Sequence, residues 1–289
     1  MDGLQPISWY PGHMAKAKRQ LETQLKRVDI VLELCDARLP LSSRNPALDE
    51  MLANKPRLLM MNKEDLADPA VTRRWEAYFR HQGIQAFPMQ VGKNKQRILK
   101  LVDSLTAEKR KRAENRGIAI TSRAMVVGVP NVGKSTLINA LAGRSAFKVQ
   151  DRPGITRAAQ WIKAGDRLEL LDTPGMLWPK LNDQQAARRL AYIAAIRDEI
   201  LDSYHLSIGL LDELMSIAPE KVAARYKLTD QGLRGQMLLE AICHARGFLQ
   251  KGNVYDLERG AACVLDEFRG GLIGRITLET PPEDSDGQP

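Results

Sequence analysis

The sequence predicts a doubly wound α/β sheet followed by a small all-α domain, and three observations carry that prediction. Five short apolar runs, Ile30–Cys35, Arg57–Met61, Ile84–Met89, Ala124–Val127 and Leu168–Leu171, are separated by stretches of helical periodicity, the alternation of a mostly parallel sheet. Several of these runs stop at polar or glycine-bearing loops, at the carboxyl ends where open α/β sheets bind ligands. From residue 182 onward only helical periodicity remains.

Taken in order, residues 1–27 set Trp9, Tyr10, Pro11, Gly12 and His13 ahead of a basic helical pattern through Lys18, Arg19, Lys26 and Arg27. Aromatics beside a Pro-Gly turn and cations suit a surface that stacks on bases and touches phosphates, or a staple holding the amino terminus to the core; the residues leave both open. The first strand then ends at Asp36-Ala37-Arg38, and the second at Asn62-Lys63-Glu64-Asp65. The spacing N-K-x-D at a strand's carboxyl end predicts a guanine reader. An aspartate carboxylate accepts two hydrogen bonds from guanine N1 and N2, the lysine stem covers the base, and Asn62 braces the loop. A pocket built for such donors rejects adenine by about 10⁴-fold, so GTP or GDP is the expected nucleotide. After the next strand a Ser-Ala-Lys-like loop would back the base, and Gln90-Val91-Gly92 departs from it. The helical positions Ile98, Leu101, Val102 and Leu105 lead into Lys109-Arg110-Lys111-Arg112.

The fourth strand opens onto Gly128-Val129-Pro130-Asn131-Val132-Gly133-Lys134-Ser135-Thr136, the spacing G-x-x-x-x-G-K-[ST]. Glycines let the N–H groups of Asn131, Val132, Gly133, Lys134, Ser135 and Thr136 curl around phosphates, the next helix aims its positive end there, Lys134 adds a full charge, and Ser135 ligates Mg²⁺. The polar loop Ser145–Thr156 that follows has the make-up of a mobile switch, with Thr156 closing on the metal. The fifth run ends in Asp172-Thr173-Pro174-Gly175, a D-x-x-G spacing, with Asp172 holding Mg²⁺ through water and the Gly175 N–H meeting the terminal phosphate. Three consistent motifs predict a P-loop GTPase sheet, but the guanine reader comes more than sixty residues before the phosphate loop, so the sheet is circularly permuted.

The predicted divisions are a GTPase domain at 1–181, a helical domain at 182–280 and a disordered acidic tail at 281–289. Helices are read around Leu190, Ile193, Ala194 and Ile196, around Leu238–Ala245 and around Leu257–Phe268, with Met237 and Phe248 assigned to the core. Charge is lopsided: residues 1–181 carry 31 Lys and Arg against 18 Asp and Glu, whereas 182–280 carry 12 against 14. Residues 93–123 alone hold ten basic and three acidic residues, which points to RNA phosphates as a partner of this half. Three cysteines, Cys35, Cys243 and Cys263, stand in no C-x-x-C spacing, and no run of about 18 apolar residues occurs, so a cytoplasmic protein with no membrane contact is expected.

The motif order, Trp9-Tyr10-Pro11-Gly12-His13-Met14-Ala15-Lys16-Ala17, Asp36-Ala37-Arg38, Pro153-Gly154-Ile155-Thr156 and the closing Gly274–Glu279 together resemble the ribosome-biogenesis GTPase A family of bacterial large-subunit assembly factors. The resemblance spans roughly residues 8–280. It implies that the helical domain contacts RNA and that the partner is a late precursor of the large ribosomal subunit with its rRNA; a monomer is expected. Met176 and Leu177 stand where Ras-type enzymes carry a water-orienting Gln, so unaided hydrolysis should be slow. The expected substitutes are His13, swung in when the particle orders its loop, or a potassium ion held by Asn131, whose position resembles that in potassium-binding GTPases; His13 as an RNA or packing contact stays open. Two other readings stay open: a nucleotide-gated RNA-binding module with incidental hydrolysis, and a GTPase acting on tRNA or a translocation complex.

Overall fold

The computed structural model describes residues 19, 21–52, 55–143, 160–173, 183–196 and 201–282. Among them, six strands form one sheet in the order β3-β2-β1-β4-β6-β5, comprising β1 (Ile30–Asp36), β2 (Arg57–Asn62), β3 (Gln85–Pro88), β4 (Ser122–Val127), β5 (Gln160–Lys163) and β6 (Leu168–Asp172). All neighbours run parallel except β5, which pairs antiparallel with β6 at the edge.

The near-continuous apolar runs reflect burial on both faces. Along β1, Ile30, Leu32 and Leu34 join one core with Ile98 and Val102 of α3 (Lys95–Glu114) and Leu137, Ile138 and Leu141 of α4 (Lys134–Ala142). Val31 and Cys35 point the other way. There they meet Leu48 of α1 (Pro46–Met51) and the Trp75–Phe79 pair of α2 (Pro69–His81), respectively. Helices on both faces of a parallel sheet make the fold doubly wound. Asp68 caps α2 by accepting from the N–H groups of Ala70 and Val71, with Pro69 already set at helical φ.

The helical half comprises α5 (Gln184–Tyr192), α6 (Ser203–Ile217), α7 (Pro219–Tyr226), α8 (Gly235–Arg246) and α9 (Leu257–Arg269). α6 packs against the other four, and the Glu267 carboxylate of α9 pairs with Arg225 of α7 at 2.5 Å and Arg246 of α8 at 2.7 Å. Its last segment folds back on the sheet half. The Ile276 N–H donates to Leu66 O (3.1 Å), that of Leu278 to Arg38 O (2.9 Å), and the Trp75 indole to Glu279 O (2.9 Å). The Glu279 carboxylate accepts from Leu41 N (2.7 Å), Ser42 N (3.2 Å) and the Ser42 hydroxyl.

Three local expectations need correcting. The helix read through Ile193–Ile196 ends at Tyr192, because Ala194 turns into left-handed backbone (φ 57°), although Ile193 and Ile196 stay buried. Met237 is 66% exposed and Phe248 only half-buried beneath the Arg259 guanidinium, so neither is a core residue. The helical half also carries a two-residue ribbon, β7 (Leu249–Gln250) with β8 (Val254–Tyr255). The tail residues 283–289 lie outside the described residues, while Pro281 is still buried. Among the described residues no helix is long and apolar enough to cross a membrane.

Candidate active site

Chain order in the sheet reverses between β1 and β4, and the crevice at their carboxyl ends is where such folds take ligands. The phosphate loop leaves β4 there. Gly128 passes so close to β1 that a Cβ on it would lie 2.5 Å from Leu34 O and 2.9 Å from Val132 Cγ2, so only glycine fits. Asn131 and Gly133 both take positive φ (59° and 101°), turning the backbone before α4 begins at Lys134.

The Lys134 side chain is buried inside this loop, its ammonium donating to Gly128 O (3.1 Å) and Val129 O (2.8 Å). Burial pulls its pKa down to about 8, and the Asp172 carboxylate partly offsets that shift. Asp172 ends β6 fully buried, in register with Val126 of β4, and the next residue, Thr173, donates its hydroxyl to Val126 O (2.7 Å). Ser135 and Thr136 occupy the first turn of α4, half-buried and exposed respectively, while Val132 is buried.

The loop after β2 is joined to the phosphate loop by one side chain. Asn62, 4% exposed, donates from Nδ2 to Val132 O (2.7 Å) and accepts at Oδ1 from Val91 N (3.2 Å). Three loops that are far apart in sequence thus share one carboxamide. Gln90-Val91-Gly92, despite its departure from the usual motif, is thereby held against the loop after β2, and Gln90 N donates to Asn94 Oδ1 (3.0 Å). Lys63 (φ 61°) reaches back to the Asp36 carboxylate at 3.3 Å. Glu64 N donates to Met89 O (3.2 Å), and Asp65 stands exposed at the loop's end.

Sequence reasoning missed how Asp36-Ala37-Arg38 and Arg275 support this loop. Asp36 receives both edges of the buried Arg38 guanidinium (Nε–Oδ1 2.9 Å, Nη2–Oδ2 2.8 Å), and although burial pushes its pKa up, Arg38 and Lys63 hold it well below the usual carboxylate range. Arg38 also donates to Phe268 O at the end of α9 (2.9 Å). Arg275 donates to Glu64 O (2.7 Å) and Ala67 O (2.9 Å). A charged triplet at a strand's end was a usable signal for Asp36 and Arg38; nothing local marks Arg275.

The family described as "50S ribosome-binding GTPase" matches residues 123–229, a span that takes in the phosphate loop and Asp172. The ribosome biogenesis GTPase A of Priestia megaterium is 47% identical over 281 residues, covering 96% of this chain and 98% of that one. The chain belongs to the ribosome biogenesis GTPase A family. The Bacillus cereus member is 46% identical over 280 residues, covering 96% and 95% of the two chains. The crystal structure of GNP-bound YlqF from T. maritima matches with a TM-score of 0.65 at 27% identity, covering 93% of this chain and 99% of that chain. As a member of the ribosome biogenesis GTPase A family the protein is a GTP hydrolase on a circularly permuted P-loop sheet with a helical carboxyl-terminal part. Permutation costs this fold little, because the loops gather along one edge whichever one the chain visits first. Of the residues the sequence assigns to this site, His13, Thr156 and Gly175, with Met176 and Leu177, lie outside the described residues.

Proposed function

We propose that the protein binds GTP and GDP in the crevice between the Asn62 loop and the phosphate loop, and uses hydrolysis as a switch in late assembly of the large ribosomal subunit. The single observation that carries this reading is Asn62 bonding at once to Val132 O and Val91 N, because it joins the N-K-x-D loop to the G-x-x-x-x-G-K-[ST] loop encoded seventy residues later, which supports one shared nucleotide site. Asp65 takes the guanine edge, Lys63 its face, with Glu64 in the loop's backbone. The amides of Asn131 to Thr136 and the Lys134 ammonium take the phosphates. Gly175 senses the terminal phosphate.

Ser135, Thr156 and Asp172 supply a hydroxyl, a second hydroxyl and a carboxylate, the hard oxygen donors that Mg²⁺ takes together with phosphate oxygens and water. The metal would neutralise charge on the outer phosphates. Asn131 donates from Nδ2 to Ala194 O (2.7 Å), so its Oδ1 is the atom that would meet a potassium ion. His13 positions the attacking water once the particle orders its loop, making the free enzyme slow and the bound one fast. The protein acts as a monomer in the cytoplasm, on a large-subunit precursor and its rRNA.

The test is co-sedimentation with large-subunit precursors at about 150 mM salt in a non-hydrolysable GTP analogue, GDP, an ATP analogue and no nucleotide. Retention in the GTP analogue well above that in the other three conditions is expected. Equal retention in all four conditions would overturn the switch.

A further inference from the structure

The parallel strands begin at the end of the sheet away from the nucleotide crevice, and a basic cleft of about 480 Å³ opens there. Strands of five to seven residues separate the two ends, about 16–23 Å at ~3.3 Å per residue. Lys26 and Arg27 come from ahead of β1, Lys109 from α3 and Arg123 from β4, so three separate segments place four cations around one concavity.

Trp161 of the edge strand organises two of them. The Arg123 guanidinium lies 5.3 Å and that of Arg27 5.8 Å from its ring centroid. A guanidinium held against an indole is oriented in advance, which favours forked bonding to phosphate. The acids in the cleft are engaged with its own wall: Asp29 pairs with Lys109 and accepts from Arg123 N (2.9 Å), and Glu169 pairs with Arg123 at 3.1 Å. Lys109 and Arg123 nevertheless keep 60% and 52% of their side chains in solvent, enough to reach a second anion. The exposed Lys111, Arg112 and Arg116 extend the charge along α3 and past its end.

We infer that this cleft docks the sugar–phosphate backbone of RNA, and that it does so whichever nucleotide the crevice holds. The inference rests on the proposal that the protein works on ribosomal RNA. A concave cleft suits a convex backbone, whereas a planar lipid surface calls for a flat amphipathic face. The length of the strands separates the cleft from the crevice, which supports an affinity independent of the switch. The protein thereby has a weak, salt-sensitive tether to its particle in both nucleotide states.

The test measures binding of a 20-base-pair RNA duplex to the full chain from about 50 to 200 mM salt, with GDP and with a non-hydrolysable GTP analogue. Wild type should give the same slope of log affinity against log salt in both. Arg27→Gln, Lys109→Gln and Arg123→Gln together should lower that slope by about 2–3, near 0.9 per phosphate contact, and weaken binding at 50 mM salt at least about tenfold. GDP affinity, the check on folding, should not change. Glu169→Gln should strengthen RNA binding by releasing Arg123. An unchanged slope in the triple variant, a wild-type slope that differs between nucleotides, or tighter binding to vesicles of phosphatidylglycerol than to RNA would overturn the inference. Loss of GTP-dependent sedimentation with the RNA slopes as expected would instead sink the proposed function and leave the cleft standing.

Discussion

Replacing Asn62 with Ala removes the carboxamide that joins the loops after β2, β4 and β3. Its two bonds, 2.7 Å to Val132 O and 3.2 Å from Val91 N, are each worth about 1 kcal/mol net, and a partner left unsatisfied in a buried place costs about 1–3 kcal/mol. The sheet should survive, because β2 keeps its ladders to β1 and β3. The loss therefore falls on the relative placement of the loops, and about 2–4 kcal/mol corresponds to roughly 30- to 700-fold weaker GDP binding. Calorimetric titration with GDP reads the affinity, and thermal unfolding of the apoprotein confirms the fold. Gly133→Ala attacks the same contact from the other side. Its φ of 101° strains any L side chain, and the new Cβ would lie 2.5 Å from Asn62 Nδ2. GDP affinity within threefold of wild type in Asn62→Ala would refute the reasoning.

Other expectations follow from the same geometry. Burial holds the Lys134 pKa at about 8 in the folded apoprotein against 10.5 for an ordinary lysine, so between those values the unfolded chain binds more protons and stability rises with pH; Lys134→Met should flatten that rise in denaturant titrations. Phosphate beside the ammonium restores its charge, so GDP binding near pH 8 should take up a fraction of a proton, read by calorimetry in buffers of different ionisation heat. Gly260→Ala would press a Cβ to 2.4 Å from Cys243 Sγ where α9 meets α8, and overpacking of about 1–3 kcal/mol should lower the melting temperature without changing GDP affinity. His13→Ala should abolish particle-stimulated turnover while sparing GTP affinity, and unchanged stimulated turnover would remove His13 from the mechanism.

The central strands were legible because strands buried on both faces are apolar without interruption, and β1, β2 and β4 fall within a residue or two of their expected limits. β5 escaped notice. Gln160-Trp161-Ile162-Lys163 buries only Ile162 and reads as a loop until β6 pairs with it. α6 was missed for the opposite reason, since Leu206, Leu210, Leu211, Leu214 and Met215 are buried among four other helices and leave little polar contrast to mark a period.

What the sequence determined by itself is the set of parts: the spacings G-x-x-x-x-G-K-[ST], N-K-x-D and D-x-x-G, each a local pattern of residue types. What only the tertiary structure decided is their assembly. Asn62 meets Val132 across 70 residues because parallel strands bring together carboxyl ends that the chain visits at different times, and Arg38 meets Phe268 across 230 because the end of α9 packs against the loop after β1. The same holds for the Trp161 cleft, whose cations lie on three segments with nothing in their spacing to announce a common face. Contacts whose partners are set by topology leave no periodic trace in the chain, so the common strand edge was readable and the individual contacts that join its loops were not.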